Sequence, residues 1–150
     1  MGFAGKRLVT SILLALLPSW AVALEFRSVG VPKAILYDAP SSSAKKIYLL
    51  SQFYPVEVIV NLGDWLKVRD YQGSISWVEA KQLSAKNMVM MINNSEMRQS
   101  ADTASTIVAT LEKGVLLEAL PGQAVNGWLK FKHRDGAAGF VPISVTWGFN

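Results

Sequence analysis

The chain contains no cysteine and a single histidine among its 150 residues. The lack of cysteine excludes disulfide bonds, cysteine-ligated zinc and thiol nucleophiles. With one histidine, a multi-histidine metal site is excluded too, and a Ser-His-Asp triad would depend entirely on His133. His133 is followed by Arg134, Asp135 and Gly136, which is a turn sequence, so we interpret it as a solvated turn residue.

The sequence also lacks the usual polar signatures of a catalytic site. Glycine-rich phosphate loops are absent, and the eleven Asp and Glu residues lie mainly in turns or singly on strand faces. A glycosidase would need two carboxylates placed together in a cleft, and no such pair is indicated. We therefore predict that the protein is not an enzyme, with no catalytic residue, no metal and no cofactor.

Charged residues are scarce, at 17%, whereas 51% of the residues are hydrophobic. Part of this hydrophobicity lies at the N-terminus, where Lys6 and Arg7 precede an apolar run at 8–17 and residues 21–23 read Ala-Val-Ala. This order is typical of a cleavable secretory signal, and the run is shorter than the ~20 residues of a membrane span. We predict a signal peptide at 1–23, a retained anchor being the alternative, and a periplasmic or secreted bacterial protein without an integral membrane span after cleavage.

The net charge of +4 is mostly a property of this leader. Without Lys6 and Arg7, thirteen basic residues face eleven acidic ones, which leaves a net charge of +2. A nucleic-acid-binding protein needs a larger basic surface, so no nucleic acid partner is expected.

The remaining chain repeats itself. Residues 65–69 read WLKVR and residues 128–132 read WLKFK, an offset of 63 that continues to Gly73 and Gly136. Upstream, an offset of 59 matches Val56 to Val115, which indicates a four-residue insertion near 121–124. We predict two units, at 24–86 and 87–150, with an interface between them because units of about 60 residues bury little surface on their own.

Each unit is predicted to consist of five short strands in a small barrel. In both WLK segments apolar and polar residues alternate, which places Leu66, Val68, Leu129 and Phe131 in the core and the tryptophans on the other face. Asp135-Gly136 between two strands indicates a hairpin turn. Trp147, near the C-terminus, is expected to pack back onto the second unit.

The order of these signals resembles the bacterial SH3 (SH3b) family, in tandem. The second unit has a Met97-Arg98 opening, the strand 107–112 leading into Lys113-Gly114, a Gly127-Trp128 strand and a closing Gly139-Phe140-Val141 strand. The resemblance implies two tandem SH3-like five-stranded barrels. It also implies a secreted binding module that recognises peptidoglycan or another envelope component.

Aromatic and basic residues of the two units form the candidate binding groove. Its predicted members are Tyr37, Tyr54, Trp65, Tyr71, Trp77, Trp128, Lys67, Arg69 and Lys130. Tryptophan and tyrosine rings can hold an apolar or extended chain, and the cations can bind its carboxylates. Alternatively, each ring closes its own barrel or packs between the units. Two kinds of partner are compatible with these residues, namely peptidoglycan and an envelope protein that pairs with an exposed barrel edge.

Overall fold

The computed structural model of the chain describes residues 1–2 and 23–149. The first unit contains β1 (Glu25–Val29), β2 (Lys33–Tyr37), β3 (Lys46–Ser51), β4 (Pro55–Asn61), β5 (Trp65–Arg69), β6 (Ile75–Glu79), a 3₁₀ helix (Ala80–Gln82) and β7 (Leu83–Ser84). The second contains β8 (Met88–Met91), β9 (Ser95–Arg98), β10 (Ile107–Leu111), β11 (Leu116–Ala119), β12 (Trp128–Lys132), β13 (Ala138–Pro142), a 3₁₀ helix (Ile143–Val145) and β14 (Thr146–Trp147). The predicted signal peptide at 1–23 lies almost entirely outside the described residues. Nowhere in the described ranges is a helix long and apolar enough to cross a bilayer.

The strands form two antiparallel sheets with the same topology. The first has the order β3-β2-β6-β5-β4-β1-β7, and the second repeats it as β10-β9-β13-β12-β11-β8-β14. The prediction of an all-β chain with two tandem domains is therefore confirmed. Each sheet has seven strands where five were expected, because a leading strand (β1 or β8) pairs with a two-residue closing strand (β7 or β14).

Each sheet surrounds its own apolar core, and the strand alternation decides which side chains enter it. Leu66 and Val68 are fully buried in the first unit, and Leu129 and Phe131 are 2% and 0% exposed in the second. These four core predictions are confirmed. The second core is built around Phe131 and the buried strand β8, whose four residues are all buried.

The repeat register upstream differs from the one the sequence indicated. Glu57 pairs with Arg69, and Glu118 pairs with Lys132, so the offset is 61 before the β4–β5 loop and 63 after it. The second unit therefore carries an insertion of two residues and not four. The offset of 59 residues read from the sequence was therefore two residues too short. Two residues is also the period with which side chains alternate along a strand. Both registers consequently place the same apolar face inward, and hydrophobicity cannot distinguish them.

The two units share an interface in which Trp147 is central. Its backbone pairs with Met90 of the second unit, but its ring packs edge-to-face against Phe26 at 5.1 Å and Tyr71 at 5.9 Å, both in the first unit. The expectation that Trp147 packs back onto the second unit was therefore wrong for its ring, which packs on the first. Strand β14 lies at the sheet edge facing the other unit, so the ring buries its surface across the boundary. The predicted interface between the units is confirmed.

Candidate functional site

The pairing of β5 with β6 determines which side chains are neighbours on the outer face of the first sheet. Leu66 and Val68 point inward, so Trp65, Lys67 and Arg69 point outward. Their partners across the ladder are Glu79, Trp77 and Ile75, respectively. Directly opposed side chains on one face lie about 5 Å apart at Cβ, close enough to contact one another.

One aromatic cluster forms on this face. Tyr37 of β2 is opposite Trp77 of β6, and its ring packs edge-to-face on Trp65 with the centroids 5.3 Å apart. The Lys67 ammonium lies over the Trp77 ring, 5.8 Å from its centroid. Trp65, Lys67 and Trp77 are half-buried, whereas Tyr37 is only 4% exposed. We call Tyr37, Trp65, Lys67 and Trp77 the aromatic face; Tyr37 supports it from beneath.

Two other predicted groove residues of the first unit, Tyr54 and Tyr71, lie apart from the aromatic face, and a third, Arg69, lies on the same outer face but is paired with a carboxylate. Tyr71 contacts Trp147 at the unit interface, where the Lys113 ammonium lies 5.9 Å from the Tyr71 ring. Tyr54 is half-buried beside the Tyr71 backbone. Arg69 is held in a salt bridge with Glu57 at 3.2 Å. The structure therefore divides the predicted groove among several environments.

In the second unit the corresponding face has fewer aromatic rings. Trp128 is half-buried opposite Pro142, and Lys130 is exposed opposite Phe140. Arg98 stands where Tyr37 stands in the first unit, because it pairs with Phe140 as Tyr37 pairs with Trp77. Its guanidinium is bound by Glu96 and donates to the Ser105 carbonyl oxygen at 2.7 Å. This face consequently offers Trp128 and Phe140 without a third ring.

The groove prediction omitted three outer-face residues. Val60 is opposite Lys67 and is 38% exposed, and Ile75 is 51% exposed, so both extend the apolar rim of the aromatic face. Phe140 has the same place in the second unit as Trp77 in the first. The repeat offset of 63 already paired Phe140 with Trp77, and that match could have identified it.

A cluster of hydrogen-bonded polar side chains lies within the first unit. The Tyr48 hydroxyl donates to Asp70 at 3.0 Å and lies 3.2 Å from the Ser76 hydroxyl. Burial raises the pKa of Tyr48, with a further rise from its hydrogen bond to Asp70. Burial also raises the pKa of Tyr54, and the Asp70 charge adds to the effect. The polar groups of Tyr48, Asp70 and Ser76 are hydrogen-bond partners of one another, which indicates a structural role.

Alkaline titration should reveal these two tyrosines. Their folded pKa values exceed the unfolded value of about 10, so their contribution to stability is complete below that pH and is lost as the pH rises through the folded values. We expect ultraviolet absorbance to show that the phenols of Tyr48 and Tyr54 ionise above their usual range. Tyr48→Phe and Tyr54→Phe should each remove one such high-pH component; a variant that keeps both components would contradict the assignment.

The single histidine of the chain lies beside a carboxylate. His133 lies in the predicted hairpin turn, with its Nδ1 2.9 Å from Asp135 Oδ1. The pKa of Asp135 is lowered, first by the hydrogen bond from the Ala137 backbone N–H and then by His133. Among the described residues, no three His, Asp or Glu side chains converge as metal ligands do.

Comparison with known proteins agrees with this architecture. The model of the bacterial SH3 domain matches residues 30–85 and again residues 93–148. No curated protein matches the chain. Similar solved structures include NlpC2 and NlpC1 from Trichomonas vaginalis, at 14% and 15% identity and a TM-score of 0.38 for each. They include an NlpC/P60 family protein from Bacillus cereus, at 13% identity and the same TM-score.

These likenesses extend over only part of the solved proteins. The matches cover 83%, 85% and 82% of this chain but 48%, 47% and 56% of the respective solved chains, so this chain spans about half of their length. At such identity and TM-score they say nothing about activity. The family match is different, because it covers most of both units with their topology repeated. The chain therefore belongs to the bacterial SH3 domain family, as a tandem of two such domains.

Proposed function

We propose that the protein is a non-catalytic binding module of the bacterial envelope, periplasmic or secreted, that recognises the peptide part of peptidoglycan. Bacterial SH3 domains are generally binding modules, and members of the family bind cell-wall components, which supports this role. The observation that carries the proposal is the aromatic face, where the Lys67 ammonium lies over the half-buried Trp77 ring and the half-buried Trp65 lies on the same side of β5.

The chemistry of the aromatic face suits an extended peptide with carboxylates. Trp65 and Trp77 present rigid rings that lose little conformational entropy on binding. Tyr37 restricts Trp65 through their edge-to-face contact at 5.3 Å. The Lys67 ammonium contacts the Trp77 ring and takes part in no salt bridge among the described residues. It can therefore form a charge-assisted hydrogen bond with a ligand carboxylate.

Removing the Trp77 ring or the Lys67 ammonium should weaken the retention of the protein on purified peptidoglycan. We expect Trp77→Ala and Lys67→Gln each to lower the affinity about tenfold, since truncating an interface hot spot typically costs more than ~1 kcal/mol. The measurement is co-sedimentation with sacculi at low salt, with circular dichroism to confirm that each variant is folded.

A matched control separates recognition from simple charge. Lys81→Gln removes the same charge from the same unit, at a side chain that is 79% exposed and pairs with Glu79 at 3.0 Å. Its retention should stay within about twofold of the unchanged protein, as expected for a surface ion pair. Equal losses for Lys67→Gln and Lys81→Gln, or no retention of the unchanged protein, would rule out this role of the aromatic face.

The outermost strand of the first sheet favours a second candidate, an envelope protein-interaction adaptor. Among the described strands, β3 pairs with β2 alone, and its side chains Ile47 and Leu49 are 46% and 58% exposed. An exposed apolar edge can pair with a strand of another protein. A photo-crosslinker at position 49 should then react with an envelope protein in cells; reaction with glycan material alone would exclude the adaptor.

A further inference from the structure

A cleft of about 550 Å³ lies between the two units, away from the aromatic face. Its lining includes Phe53 of the first unit and Met88 of the second, together with the basic residues Lys86, Lys132 and Arg134. Its volume is within the range of about 300–1,000 Å³ that small-molecule sites occupy.

The lining of the cleft has more positive than negative charge. Lys86, Lys132 and Arg134 face a single carboxylate, Glu118. Glu118 is 3.3 Å from the Lys86 ammonium and is opposite Lys132 in the β11–β12 ladder. Arg134 is exposed and, in the part of the chain described, makes no salt bridge. Two cations are therefore in excess, and both are available to a ligand.

Phe53 has a backbone conformation that an aromatic residue seldom adopts. Its φ is 71°, in the left-handed region, which costs a non-glycine residue about 1 kcal/mol or more. Its counterpart in the second unit is Gly114, because the Phe53 N–H donates to Val29 as the Gly114 N–H donates to Met91. Gly114 has a φ of 91° and also lines the cleft.

The equivalent turn of the second unit forms without an aromatic ring, because it has Gly114 in place of Phe53. Glycine meets the geometry of this turn without strain, as Gly114 does, so the turn itself does not require a ring at position 53. The ring is half-buried in the wall of the cleft, and the Lys86 ammonium lies 4.8 Å from its centroid. An aromatic surface beside excess cations suits a ligand with an apolar or sugar body and an anionic group.

We propose that this inter-unit cleft is a second binding site, which takes an oxyanion carried on a small organic body. Arg134 and Lys132 bind the oxyanion by charge-assisted hydrogen bonds, and Phe53 packs against the attached body. Carboxylates of peptides and phosphates of envelope polymers share this chemistry. The site does not depend on the aromatic face.

Nuclear magnetic resonance titration of the full chain tests the site. The probes are glycerol 3-phosphate and N-acetylalanine, with sodium chloride at equal ionic strength as reference. We expect saturable shifts at the Phe53 and Gly114 amides with at least one probe. A response to the phosphate alone assigns a phosphate polymer as the source, and a response to the carboxylate alone assigns a peptide. Linear shifts, or shifts equal to those in sodium chloride, would overturn the proposal.

Variants connect the response to the cleft. Arg134→Gln and Phe53→Gly should each lower the affinity for the probe at least about fivefold. Lys45→Gln removes one exposed charge outside the cleft and should leave the affinity within about twofold. Equal weakening by Arg134→Gln and Lys45→Gln would show nonspecific attraction and refute the site. Trp77→Ala should not change the probe affinity, so the cleft and the aromatic face can fail separately.

Discussion

Replacing Phe131 by alanine should lower the free energy of unfolding of the second unit by about 4 kcal/mol. Phe131 is fully buried at the centre of that core, and its removal leaves a cavity between strands that cannot close completely. A unit of about 60 residues is stable by only about 3–9 kcal/mol, so this substitution should remove a large fraction of the stability of the second unit. Urea denaturation followed by circular dichroism measures the loss.

Phe140 provides the matched control for this prediction. It is also a phenylalanine of the second sheet, but it lies half-buried on the outer face opposite Lys130. Phe140→Ala should cost about 1–2 kcal/mol, since much of its ring already contacts water. Similar losses for the two variants would mean that the second core is not centred on Phe131.

Replacing Gly148 by alanine should disrupt the contact between the units. A Cβ at this position would lie 2.7 Å from the Pro55 Cβ of the first unit and 2.9 Å from the Met88 carbonyl oxygen. Gly148 also has a φ of 111°, where an L-residue is strained. Overpacking and strain together should lower the free energy of unfolding by about 3 kcal/mol. Because Gly148 follows Trp147, Trp147 should lose its packing on Phe26, and unfolding should separate into two transitions.

The variant Gly127→Ala is a control that shares the backbone strain of Gly148→Ala but lacks its steric clash. Its φ of 78° is also positive, but a Cβ there would meet nothing within 4 Å. Gly127→Ala should therefore cost only about 1 kcal/mol and leave a single unfolding transition. If the two glycine variants behave alike in denaturation, the close approach of Gly148 to Pro55 does not stabilise the interface.

Of the two proposed sites, the cleft depends on the interface between the units, and the aromatic face does not. The aromatic face lies within one sheet, so it should survive when the units separate. The cleft needs both units, because Phe53 comes from the first and Arg134 from the second. Gly148→Ala should therefore weaken probe binding in the cleft and spare retention on peptidoglycan.

Local patterns in the sequence were enough to predict the elements of this fold. The alternation in the two WLK segments placed Leu66 and Phe131 in their cores, and the turn at Asp135-Gly136 positioned the hairpin. The repeat indicated two units. These predictions succeeded because strand alternation and turn chemistry depend on residues that are close in the chain.

The candidate site was only partly readable from the sequence. The repeat identified Trp65 and Trp128 as equivalent outward residues, but not which rings meet. Tyr37 joins Trp65, whereas Tyr71 lies with Trp147, because these contacts follow from strand order and from the approach of the units. Composition alone treats all these rings as interchangeable.

The sequence by itself determined an all-β chain of two similar units with defined inward and outward faces. Tertiary structure alone decided the 61-residue register, the partner of Trp147 and the need for glycine at 139. A Cβ at Gly139 would lie 2.6 Å from the Arg98 carbonyl oxygen, although its repeat counterpart is Ser76. The alternation of a strand specifies only which face is buried, whereas close approaches depend on how strands distant in sequence pack together.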